Sequence, residues 1–187
     1  MTFEAFLVEQ CAPVLAGIKP GSLFPYILGP GEELWTLLDH WNQTLAAKGV
    51  QAAAVKRCSR TGAYLIYVFR PDQVKAVLAR PEVEAFLETY GYAPGQGIPE
   101  ALSLLTRRLC MQEEFPHEVG IFLGYPLHDV QGFICHKGKN SLCSGCWKVY
   151  AEPQKAQRLF RRYRLCTQVY RAQFRRGKSA AQLTVAA

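Results

Sequence analysis

The residues best suited to chemistry lie between Phe115 and Phe133, in FPHEVGIFLGYPLHDVQGF. His117 and Glu118 are adjacent proton-handling groups, the pair that general acid–base work draws on. Read as a strand from about Pro116, the segment puts His117, Val119, Ile121 and Leu123 on one face and Glu118, Gly120, Phe122 and Gly124 on the other. Glycine at 120 and 124 implies a close approach to the backbone there, by a helix or by a ligand. The run then reaches Gly124-Tyr125-Pro126 and enters a helix. Crevices at the carboxyl ends of strands, facing helix N-termini, favour ligands, so Tyr125 and the amides of 126–128 would border such a site. The competing reading makes His117 a satisfied core or edge histidine and Glu118 a cap for a neighbouring element.

Thiols are the second resource. Cys11 precedes Pro13 and has Lys19 nearby in sequence. A thiolate nucleophile needs a positive neighbour or a base, and Lys19 or His117 could serve. Spacing is compatible with a Cys11–His117 pair without arguing for one, and a buried structural cysteine is the alternative. His128, Cys135, His136, Cys143 and Cys146 fall within 19 residues, and Cys143-Ser-Gly-Cys146 has the two-residue gap of zinc ligands. Neither a second CxxC nor an HxxxH pair accompanies it, and it runs into a strand rather than a helix N-terminus, so no metal site is assigned. No P-loop, GxGxxG, HExxH, GxSxG or paired-carboxylate motif occurs, which removes most easily read enzyme classes.

These residues must be held by surrounding elements. Thr2 caps an opening helix that Pro13 should break or restart. Gly17 to Gly31, GIKPGSLFPYILGPG, holds four glycines and three prolines and reads as a long irregular loop, though its apolar residues call for burial. A helix from about 32 to 48 ends on Gly49. Residues 50–58 and 63–69 read as a hairpin, followed by short helices over 72–80 and 82–90 and a longer one over 100–112. An apolar strand, a proline and a helix recur three times, at YLIYVFR-P-DQVKAVL, VGIFLGY-P-LHDVQGFI and WKVYAE-P-QKAQRLF. Proline suits the first helical position because its missing N–H would have been an orphan donor. The pattern predicts an α/β (α+β) sandwich of helices on a small mixed sheet.

The chain has 187 residues and 49% hydrophobic content, enough for one compact domain over 1–187. No apolar run approaches the roughly 20 residues of a membrane span, the first ten residues lack the basic start of a signal peptide, and seven scattered cysteines suit a reducing compartment. The expectation is a cytoplasmic protein with no membrane partner. The net charge of +7 sits in the basic C-terminal helix, about 154–176, and just beyond it: from Pro153 onward there are nine Lys or Arg and no acid, whereas residues 1–152 carry 13 basic and 15 acidic groups. Arginines on the solvent side of an amphipathic helix are ordinary, so the expectation is weak, non-specific nucleic-acid binding at most.

FPHEVGIFLGYPLHDVQGFI, the run Gly145-Cys146-Trp147-Lys148-Val149-Tyr150 and the early CAPVLAGIKPGSLF resemble an uncharacterised bacterial family of about this length. It is found mostly in anaerobic Firmicutes, is known as a domain of unknown function, and is marked by a Pro-His-Glu motif, here Pro116-His117-Glu118. The resemblance extends from Cys11 to the closing GKSAAQLTVA. It singles out Cys11, Lys19, His117, Glu118, Tyr125, Trp147 and Cys166, and it supplies no activity. In that family the position of Cys146 is usually Tyr, which makes the CSGC pair peculiar to this chain.

The reading that results is a small-molecule or cofactor-binding protein, with enzymatic use of a His–Glu pair and a thiol left open. His117, Glu118 and Cys11 are the candidate catalytic groups. Lys19, Gly120, Gly124, Tyr125, Trp147 and Lys148 are the candidate ligand-binding residues. The ligand, any cofactor and the oligomeric state are not legible. The rival is a binding module for nucleic acid or an acidic protein, using the arginine-rich helix, which would interleave exposed aromatics with the arginines.

Overall fold

The computed structural model describes residues 1–111 and 114–186. In chain order the elements are α1 (Phe3–Leu15), β1 (Gly21–Tyr26), α2 (Leu34–Leu45), β2 (Gln51–Arg57), β3 (Tyr64–Phe69), α3 (Pro71–Leu78), α4 (Pro81–Glu88), α5 (Ile98–Met111), α6 (Val119–Phe122), α7 (Leu127–Cys135), β4 (Cys143–Ser144), β5 (Lys148–Val149), α8 (Pro153–Arg175) and α9 (Ala180–Leu183). The fold class is α+β, as expected. Among the described residues no helix is long and apolar enough to cross a membrane.

The three-stranded sheet has the order β1-β3-β2 and is antiparallel throughout, not mixed. Alternation along β3 splits the core in two. Ile66 and Val68, with Phe24, Tyr26 and Ala52, pack under α1 and α2. Tyr67 and Phe69, with Val55, pack under α3 to α7. The 50–58 and 63–69 hairpin is present, with a bulge between Ala54 and Lys56 that places Val55 in the second core.

The Gly17–Gly31 segment departs from expectation, because residues 21–26 form β1. Pro25 is tolerated because β1 lies at the sheet edge and needs partners on one side only. Gly21 is required there: a Cβ would lie 2.6 Å from the Tyr67 hydroxyl, which donates to the Phe122 carbonyl at 2.6 Å. Pro13 does not end α1, which continues to Leu15. Its missing N–H leaves the Glu9 carbonyl without its helical donor, while the C-terminal carbonyls of Val14 and Leu15 are taken by Arg70 (Nε at 2.7 Å and Nη2 at 2.8 Å). The same buried guanidinium donates to Lys48 O at 3.1 Å and Val185 O at 2.7 Å.

Other local signals behave as their chemistry dictates. Thr2 caps α1, accepting from the Ala5 amide at 3.3 Å. Prolines open α3, α4 and α8. The expected 32–48 helix is α2 followed by a single 3-10 turn over Ala46–Lys48, closed by Gly49 at φ 67°. The helix expected over 100–112 runs over Ile98–Met111, and residue 112 lies outside the described residues.

The largest correction concerns 116–124. The segment is not a strand: it turns at Pro116–Glu118, forms the one-turn helix α6 and ends on Gly124 at φ 75°. The buried Glu118 carboxylate is held by Arg108 of α5, and Val130 and Tyr125 close over Gly120, where an added Cβ would meet them at 2.9 and 3.1 Å. Contacts with α5 and α7 outweigh the alternating pattern.

Candidate functional site

After Gly124 the chain passes Tyr125 and Pro126 into α7, then returns through the short β4–β5 hairpin to α8. That path packs the hairpin on the first turns of α8: Trp147, Val149, Ala156, Phe160 and Tyr163 form a third apolar cluster. Trp147 stacks on Tyr125 (centroids 4.8 Å apart) and meets Phe160 edge-on at 4.5 Å. Asp129, on the first turn of α7, locks the hairpin in place. Its Oδ2 accepts from Trp147 Nε1 at 2.7 Å, and its Oδ1 accepts from the amides of Tyr150 at 2.7 Å and Ala151 at 3.1 Å.

Between α6, α7 and the hairpin lies a cavity of about 410 Å³. Its walls are mainly apolar, with Val119, Leu123, Val130, Phe133, Tyr125 and Trp147 among them, and Phe115 stands half-exposed at its edge. The polar groups are His117, Ser144, Lys148 and the already saturated Asp129. His117 meets Phe133 edge-on at 4.8 Å, and Lys148 Nζ lies 6.0 Å from the centre of the same ring while donating to Gly138 O. Size and lining fall within the range of small-molecule sites.

Of the residues picked out in sequence, His117, Gly120, Tyr125, Trp147 and Lys148 line this cavity. Gly124 stands aside, against Pro20, whose Cγ would lie 2.4 Å from an added Cβ. Lys19 reaches Tyr125 from elsewhere, with Nζ 5.7 Å from the ring centre and 3.2 Å from Ser22 Oγ. Glu118 does not border the cavity. It is 1% exposed, and its carboxylate binds Arg108 with Tyr92 Oη at 3.5 Å. Adjacent in sequence, His117 and Glu118 thus have separate surroundings. Cys11 lies in the first core with no exposure. Burial pushes its thiol up to about 12, against the opposing pull of Lys19, so its thiolate is disfavoured at neutral pH. Cys166 is half-buried on α8, its thiol raised by burial. Among the described residues no three His, Cys, Asp or Glu side chains converge as metal ligands.

Sequence reasoning missed Asp129, Phe133 and the Ser144–Gly145 tip. Asp129 looks like an ordinary acid in the first turn of a helix, and only the fold brings the indole 18 positions later onto it.

The family model described as "Protein of unknown function (DUF3793)" matches residues 7–184. The chain belongs to that family. For this DUF3793 member, neither the curated proteins nor the solved structures yield a match. The matched span contains every residue of the cavity.

Proposed function

We propose that this chain is a small-molecule-binding protein, and that the cavity between α6, α7 and the β4–β5 hairpin takes a flat, largely apolar ligand bearing a hydrogen-bond acceptor. The observation that carries the reading is the aromatic lining: Tyr125, Trp147 and Phe133 offer ring faces and edges, with His117 and Lys148 at hand to orient a polar group. Binding rather than catalysis is favoured because Glu118 is committed to Arg108 and Cys11 is sealed in the core, so neither of the partners expected for His117 faces it.

The rival reading through α8 has less support. Tyr163 is buried, and Tyr170 and Phe174 pack against the first core, so they do not interleave with the arginines as stacking platforms.

Native mass spectrometry and an absorbance scan of the protein as purified would identify a retained ligand. In parallel, the neutral dye N-phenyl-1-naphthylamine should bind and quench Trp147, and Phe115→Ala and His117→Ala should weaken it. A protein that carries nothing and leaves Trp147 emission unchanged with the dye removes this reading.

A further inference from the structure

On the other side of the hairpin tip, two hollows of about 450 and 350 Å³ adjoin, sharing Cys146 and Arg164. The first continues to Arg161 and Gln157, the second to Lys19, Ser22 and Thr167. No acidic residue lines either. Arg171, at the far end, is paired with Glu9, whereas among the described residues Arg161, Arg164 and Lys19 have no carboxylate partner. Together these hollows form a groove of guanidinium, ammonium, hydroxyl and amide donors.

We propose that this groove, between residues 19–22, the tip at 144–146 and α8, is a phosphate-binding site for a small phosphorylated molecule. Lys19 carries the argument. Its side chain is partly buried, and among the described residues its ammonium has the Ser22 hydroxyl and the Tyr125 ring for partners and no carboxylate. A cation partly stripped of water and lacking a counter-charge is costly, and an anion in the groove would supply what it lacks. Burial also holds Lys19 below its ordinary pKa, as expected of an ammonium without that anion. Arg164 and Arg161, one turn apart on α8, offer planar forks suited to phosphate oxygens. A small ligand is favoured over nucleic acid because the aromatic rings that line the hollows, Phe160 and Tyr163, are buried in the third apolar cluster and offer no free face to stack a run of bases.

Isothermal titration with pyrophosphate at about 150 mM salt tests the site. Saturable binding of one equivalent is expected, weakened about tenfold or more, some 1.4 kcal/mol, by Arg164→Gln and by Lys19→Met. Arg164 is exposed, so that variant should fold normally. Arg176→Gln, outside the groove, should change affinity less than twofold. Absence of saturable binding, or equal weakening by Arg176→Gln, overturns the proposal. So does tight binding of a mixed-sequence oligonucleotide that depends on Arg164 while pyrophosphate does not bind. N-phenyl-1-naphthylamine separates this site from the cavity: dye binding without pyrophosphate binding removes the anion site alone, and pyrophosphate binding without dye binding sustains it.

Discussion

The indole of Trp147 and the carboxylate of Asp129 are joined by a buried 2.7 Å hydrogen bond between the β4–β5 hairpin and α7, so the wall of the cavity hangs on a single acidic side chain. Asp129→Ala strips three N–H donors of their acceptor at once. Each buried donor left unpaired costs on the order of 1–3 kcal/mol, so a loss of about 3 kcal/mol or more in urea unfolding is expected. Dye binding to the cavity should fall with it. A loss under about 1 kcal/mol would mean that water replaces the carboxylate and that the hairpin does not depend on it.

His117 and Glu118 should separate cleanly in stability. Glu118→Gln removes the charge that faces Arg108 and should cost about 3 kcal/mol, the range for breaking a buried pair from one side. His117→Ala, at an exposed position, should cost under about 1 kcal/mol. Equal costs in the same denaturation experiment would contradict the separate surroundings of the two side chains.

The cysteines should divide by environment. Timed alkylation with iodoacetamide, read by peptide mass spectrometry, should modify the exposed Cys110, Cys135 and Cys146 in the native protein. Cys11 should stay unmodified until the chain unfolds, because it is sealed from solvent and its thiol is pushed up to about 12. Rapid native labelling of Cys11 would reveal an opening of the first core.

Glu32 gives the fold an acid-sensitive point. The Gly29 amide, first, and the Tyr26 hydroxyl, both at 2.7 Å, hold its carboxyl below the usual carboxylate range. A depressed folded pKa contributes stability that is present above the unfolded value of about 4.3 and is lost as pH falls through the folded one. Denaturation curves at pH 7 and near pH 3 should therefore show a smaller acid loss in Glu32→Gln than in the parent. Burial, and then the same contact, raise Tyr26 to about 12, so its own contribution fades as pH climbs from about 10 towards that value.

What could be read from sequence was what neighbours along the chain decide. Pro71 and Pro153 open helices and Pro126 caps one, Gly49 ends another, and the alternation of residues 64–69 sorts side chains between two cores. The failures sit where distant contacts decide. Residues 119–123 alternate well enough for a strand, yet Arg108 and Val130 fix a one-turn helix there. Pro25 hides an edge strand whose partner lies some 40 residues downstream. His117, Tyr125, Trp147 and Lys148 could be picked out by residue type and by family resemblance. That these four and Gly120 share one cavity while Glu118, Lys19 and Gly124 stand outside it depends on the turn at 116–118 and the return of the hairpin.

Arg70 has a consequence for how the molecule comes apart. One guanidinium grips carbonyls at residues 14 and 15, at 48 and at 185, and the Val185 amide in turn donates to Leu15 O at 2.9 Å. Segments more than a hundred positions apart therefore share one clasp, and none can loosen without orphaning donors that serve the others. Hydrogen exchange at Ile18, Gly49 and Val185 should report a common opening free energy, with the tail breathing no faster than the helix it lies on. In Arg70→Met that synchrony should vanish, and the strip around 180–185 should exchange first.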